Sequence, residues 1–336
     1  MKQISFLLVI ISFLISSCQF KKGKVNILNE VFIYKEASFP QCHASTIVET
    51  NNGLLSAWFG GTREKNPDVC IYASSLENGH WGTPVLIADG IINDSLRYPC
   101  WNPVLFKRDN GDIILYYKIG PSPGKWWGVY KSSSDEGKTW SDKIRIPDGL
   151  YGPIKNKPEK LSDGNILYPT SVETPDKWNI YVEKSNQDLS NWEKIEINNN
   201  GFNAIQPTIL FHGKDKLQML CRSKNKKIVE TWSEDNGNTW SPIEATSLVN
   251  NNSGIDAVTL LNGKYLLICN PIEKGRNKLS LFISDDGKNW KELLILEDQP
   301  KGEFSYPAII QGRDGSIHIT YTYNRVKIKY VHLELI

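Results

Sequence analysis

The chain has 336 residues, with 39 Lys and Arg against 37 Asp and Glu, and a formal net charge of +2. That balance excludes the broad basic footprint of a nucleic-acid binder and the polybasic face of a membrane-surface protein. With 40% hydrophobic residues, 11 Trp and 14 Tyr, the composition supports one large core in a β-rich fold.

The N-terminus reads as an export signal. Met1-Lys2 is basic, residues 4–15 are almost wholly apolar, and Ser16-Ser17-Cys18 closes the run with small residues. So short an apolar run suits a secretory segment better than a spanning helix, which needs about 20 residues. Ile15-Ser16-Ser17-Cys18 resembles a bacterial lipobox, which implies lipidation at Cys18 and a membrane anchor facing the periplasm or the cell surface. The alternatives are an ordinary signal peptide cut near Ser17 or an uncleaved anchor. The basic residues after Cys18 favour the periplasmic face, and residues 19–30 are expected to form a tether.

Beyond the tether one domain is expected over residues 31–336, since no Pro-rich linker, charge block or helical periodicity interrupts it. Cys42, Cys70, Cys100, Cys221 and Cys269 are odd in number, widely spaced and without a CxxC pair. Buried thiols are expected, with a Cys42–Cys100 bridge open in an oxidising compartment, and neither a metal nor a cofactor is implied.

Along this domain two apolar strands recur around a tight turn. The turns fall at Asn52-Gly53, Asn110-Gly111, Asp163-Gly164, Asp215, Asn262-Gly263 and Asp314-Gly315, about fifty residues apart. Six units of four short strands each predict a six-bladed β-propeller, all-β. The last unit is one strand short, and residues 31–34 are expected to complete it and close the ring.

A second repeat lies inside the first. Ser133-Ser134-Asp135-Glu136-Gly137-Lys138-Thr139-Trp140 recurs as Ser233-Glu234-Asp235-Asn236-Gly237-Asn238-Thr239-Trp240, and one residue shorter as Ser284-Asp285-Asp286-Gly287-Lys288-Asn289-Trp290. Weaker copies span 74–81 and 185–192. The pattern resembles the Asp-box of sialidase-like propellers. Its Asp and Ser suit turn amides, its Gly a positive φ, and its Trp the packing of one repeat on the next. No catalysis is expected from it.

Aligned on their turns, the units place a polar residue at the start of each innermost strand: His43, Asn102, Lys157, Gln206, Asp256 and Tyr306. Six polar groups at equivalent repeat positions predict a site around the axial mouth. Arg63, Arg222 and Arg276 are candidate partners for a carboxylate, because the guanidinium fork binds both oxygens.

At residue level the chain resembles the predicted-neuraminidase branch of the sialidase superfamily, over roughly residues 30 to 336. The resemblance implies a three-arginine clamp, a tyrosine nucleophile paired with a glutamate, and an acid/base aspartate on a first-blade loop. Arg222 matches the second arginine, Arg276 the third, and Ser305-Tyr306 the nucleophile segment. Glu64 falls near the loop aspartate, with Asp68 as alternative. Two departures are plain: Pro40-Gln41-Cys42-His43 stands where the first arginine is usual, and Gln206 where the glutamate is.

The expected function is an exo-acting glycoside hydrolase releasing a terminal acidic sugar. Tyr306 would attack, Asp256 or His43 would take its proton, and Glu64 would protonate the leaving oxygen. One alternative is a lyase on uronic-acid glycans using His43 and Tyr306. Another is a non-catalytic glycan binder stacking sugars on Trp101, Trp126 and Trp127. The partner expected is an acidic carbohydrate, taken by a monomer.

Overall fold

The computed structural model describes residues 25–336, and among them there is no helix. The expected signal segment and Cys18 lie outside the described residues. Six antiparallel sheets follow one another around an axis, each numbered here as a blade.

Blade one runs Gln41–Glu49, Gly53–Gly61, Cys70–Glu77 and His80–Trp81, with Val85–Ala88 as a further partner of the third strand. Blade two runs Cys100–Lys107, Ile113–Ile119, Trp127–Ser133 and Ile144–Arg145. Blade three is built of Glu159–Lys160, Ile166–Glu173, Trp178–Ser185 and Trp192–Glu196. Ala204–Phe211, Leu217–Ser223, Lys227–Ser233 and Glu244–Val249 make blade four. Asp256–Thr259, Tyr265–Cys269, Lys278–Ser284 and Trp290–Asp298 make blade five. Blade six holds Phe304–Gln311, Ile317–Tyr323 and Lys327–Leu335, and Val25–Phe32 pairs antiparallel with the last of these.

The closing strand therefore comes from the expected place but begins at Val25, inside the stretch expected to be a tether. Val25 and Ile27 lie opposite Leu335 and Leu333, so the pairing extends to the last residues of the chain. The second strands are largely buried, because neighbouring blades cover both of their faces. Ile113–Ile119 and Leu217–Ser223 are buried throughout. Between blades one and two, Leu55, Ala57 and Ile71 pack with Leu105, Ile113, Leu115 and Val129. Each Leu, Ile or Val among them contributes about 1.5–3 kcal/mol of burial.

The Asp-box turns satisfy themselves. Ser133 Oγ accepts from Gly137 N at 2.8 Å, and Asp135 accepts from Thr139 N at 2.8 Å and Thr139 Oγ at 2.6 Å. Asp235 and Asp286 repeat this arrangement. Gly137 has φ +87, and a Cβ there would stand 2.6 Å from Leu55 Cδ2 of the preceding blade. The turn is thus both a local knot and a contact between repeats.

Donors from Thr139 hold the Asp135 carboxyl down at about 2. A carboxyl lowered on folding stabilises the fold above its unfolded pKa and loses that contribution as pH falls through its folded one. Melting temperature should therefore fall between about pH 4 and pH 2, and the Asp135→Asn, Asp235→Asn double variant should flatten that slope. An unchanged slope would remove these carboxylates from acid stability.

Candidate active site

Four blades begin with the same distortion. The register of innermost and second strands slips between His43 and Thr46, opposite Tyr117, between Ile205 and Thr208, and between Ser305 and Ala308. At the slips Ala44, Asn102, Gln206 and Tyr306 have φ of 58, 41, 55 and 52. A bulge of this kind breaks the two-residue alternation and re-aims one side chain. Proline follows three of the four, so no amide hydrogen is orphaned there. Left-handed backbone at a non-glycine residue costs on the order of 1–3 kcal/mol, and four at one end of an axis point to a functional mouth.

The bulge corrects the ring of expected residues. Ala44, rather than His43, is the structural equivalent of Asn102, Gln206 and Tyr306. In blade three the left-handed residue is Lys155, φ 74, rather than Lys157. Asp256 has no such backbone and keeps the strand alternation.

Tyr306 sits at the centre of the mouth. Its hydroxyl oxygen accepts from Arg222 Nη1 at 2.8 Å and from Gln206 Nε2 at 3.4 Å. Arg222 Nη1 also donates to Gln206 Oε1 at 3.0 Å, and its Nε donates to Asn252 Oδ1 at 3.0 Å. Its Nη2 has no protein acceptor among the described residues. The guanidinium carbons of Arg222 and Arg276 each lie 5.7 Å from the Tyr306 ring centre, so the two flank one ring.

Arg276 is held by Glu303, Nη1 to Oε1 at 2.7 Å. The same carboxylate takes Arg325 Nε at 2.9 Å, and Arg325 Nη1 reaches Glu64 Oε2. Burial raises the Glu303 carboxyl, but the hydrogen bond and charge of Arg325, helped by Arg276, outweigh it and hold it low. Arg325 lies on the turn between the second and third strands of blade six, and its carbonyl accepts from Cys42 N. A guanidinium thus stands beside the blade-one segment that lacks an arginine, delivered from the far end of the chain.

His43 is buried beside Tyr306, with ring centres 4.1 Å apart. Its Nδ1 is bound to Thr322 Oγ1 at 3.0 Å. Burial first, then Arg325, Arg276, Arg222 and Lys155, push its pKa well below the usual range, in the direction of the neutral ring.

Asp256 and Lys157 belong to the floor beneath the mouth. Asp256 Oδ1 accepts from Lys157 Nζ at 3.0 Å and Thr208 Oγ1 at 2.8 Å, and Oδ2 accepts from Ile309 N at 2.9 Å. Both oxygens are taken, which removes Asp256 as the partner of the Tyr306 hydroxyl. Lys155 crosses the axis to the carbonyls of Ile255 and Pro307 and to Asn156 Oδ1. Arg63 is exposed, with no side-chain partner among the described residues. Asp68 is tied to Thr62 by both its amide and its hydroxyl.

Trp101 and Trp126 are buried against Ile154, and Trp101 Nε1 donates to Gly120 O. That packing withdraws these two indoles from sugar stacking. All five described cysteines are free and buried, and Cys42 Sγ accepts from Tyr34 OH at 3.0 Å rather than bridging Cys100.

Residues 52–319 match the BNR repeat-like domain family. The chain belongs to that family. Several solved structures share the fold of this BNR repeat-like protein. A protein of unknown function from Dyadobacter fermentans aligns with TM-score 0.77 at 16% identity, over 93% of this chain and 99% of that one. The NanB sialidase of Streptococcus pneumoniae, as a K499G mutant, gives 0.74 at 12% identity, over 90% and 71%. The intramolecular trans-sialidase of Ruminococcus gnavus, in complex with oseltamivir carboxylate, gives 0.70 at 13%, over 90% and 96%. No curated protein matches the chain. The BNR repeat-like chain is therefore a six-bladed propeller with the sialidase fold.

Proposed function

We propose that this protein is an exo-acting glycoside hydrolase releasing a terminal acidic sugar, a sialic acid or related 2-keto acid, from glycans. The observation that carries the reading is the Tyr306 hydroxyl, which accepts N–H groups from both Arg222 and Gln206. Two donors aimed at one phenolic oxygen stabilise the negative charge it carries once its proton is lost for attack on an anomeric carbon, and again when it departs as the second step's leaving group. A neutral phenol also approaches a substrate carboxylate without repulsion, and tyrosine nucleophiles in sialidases are one known exception to two-carboxylate hydrolysis. Arg222, through its free Nη2, and Arg276 would hold that carboxylate.

Arg222→Lys should weaken binding of a free acidic sugar by roughly tenfold to a hundredfold, since an ammonium cannot reproduce the fork. Calorimetry with N-acetylneuraminate and glucuronate measures it, and undiminished affinity for every acid removes the clamp.

A lyase acting on uronic-acid glycans draws support from the His43 ring, tilted against Tyr306 at 4.1 Å and with its pKa lowered by burial and the surrounding cations. Mass spectrometry of acidic oligosaccharide products separates the readings. A free reducing sugar supports the hydrolase, a product carrying a new double bond the lyase, and unchanged oligosaccharide a binder. For the location we propose an anchored lipoprotein through Cys18, which labelling with a fatty-acid analogue would reveal.

A further inference from the structure

Most carboxylates around the mouth are already occupied. Glu64 pairs with Arg325, and Glu303 with Arg276 and Arg325. Asp68 caps its own loop, Asp256 staples the floor, and position 206 carries an amide. Glu173 differs: among the described residues its side chain has neither a hydrogen bond nor an ion pair.

Glu173 ends the second strand of blade three, directly opposite Trp178 on the third. The Trp178 ring lies 5.6 Å from the Arg222 guanidinium carbon and 4.4 Å from Lys224 Nζ. Paired residues of neighbouring strands project to one side of a sheet, so Glu173 shares a side with the indole that supports Arg222. The charges of Glu64 and Lys65, on the first-blade loop, also act on this carboxyl. Burial raises its pKa, Arg222 and Lys224 oppose the rise, Glu64 adds to it and Lys65 opposes it, with the net shift upward. An upward shift is the direction that proton donation to a leaving oxygen requires of a carboxyl.

Resting on the hydrolase reading above, we propose that Glu173 is the catalytic acid and base of this pocket, acting where Glu64 is committed to Arg325. In the first step Glu173 gives its proton to the glycosidic oxygen, which leaves with the electron pair of the broken C–O bond. Tyr306 oxygen bonds to the anomeric carbon and releases its proton to water. In the second step water attacks that carbon, the Tyr306 oxygen departs and recovers a proton from solvent, and Glu173 takes one proton from the attacking water.

The test compares Glu173→Gln with the unaltered full chain on two acidic glycosides, one with an alcohol leaving group and one with an activated aryl group that needs no proton. The expected result is a loss of roughly a hundredfold on the alcohol glycoside and a much smaller loss on the aryl one. Unchanged melting temperature and acid-sugar affinity establish that the variant is folded, and Glu173→Asp, which shortens but keeps the acid, should fall between. Equal losses on both glycosides, or none, overturn the assignment while leaving the hydrolase standing. No turnover of either glycoside by the unaltered protein overturns both.

Discussion

Tyr306→Phe is expected to lower turnover of an acidic glycoside by roughly a hundredfold to ten-thousandfold, while the melting temperature stays close to that of the parent. The variant loses one oxygen, and that oxygen is where Arg222 Nη1 and Gln206 Nε2 converge. The ring remains to pack against His43 and between the two guanidinium groups. Loss of rate with retained binding places the hydroxyl in the bond-making step. Near-normal turnover by the variant would end the tyrosine mechanism, whatever the substrate proves to be.

Asp256→Ala is expected to cost about 3–5 kcal/mol of folding stability, the usual penalty for stranding one partner of a buried ion pair. The carboxylate receives Lys157 from blade three, Thr208 from blade four and the Ile309 amide from blade six, while itself standing on blade five. Only 4% of its side chain is exposed, against 17% for Lys157, so water cannot replace it. Chemical denaturation measures the loss. A variant as stable as the parent would mean that four blades meet at the floor without needing this staple.

The sequence discloses this protein unevenly. The blades were legible because their signals are local: an Asn-Gly or Asp-Gly turn, or eight residues that close hydrogen bonds among themselves. Tyr306, Gln206 and Arg222 were legible through repeat position and family pattern together. Repeat position alone misplaced Asp256, because blade five lacks the bulge that lifts a side chain to the mouth. It also chose His43 and Lys157 over Ala44 and Lys155, since a bulge shifts equivalence and leaves no mark in a turn-based alignment. Arg325, Glu303 and Asn252 escaped notice because their meaning is wholly tertiary. Arg325 meets Glu64 across 261 positions of chain, and no local pattern reports such a pair. One signal was present, the Asn324-Arg325 turn with φ of 51 and 57, which sets a charged residue on a hairpin at the mouth.

The pairing of Val25 with Leu335 carries a consequence for how the molecule is made. Five blades can assemble from neighbouring segments as they leave the ribosome, but the sixth needs Val25–Phe32 and Lys327–Leu335 at once. Bringing them together closes a loop that spans the other five blades, whose entropy is recovered only when the last strand docks. Folding should therefore finish with a slow, all-or-none annealing step. Removing a few residues from the C-terminal strand should leave an open ring with a bare sheet edge, prone to pair with another copy. A circular permutant with its break between blades would have every blade drawn from one continuous stretch, and should fold faster than the natural order.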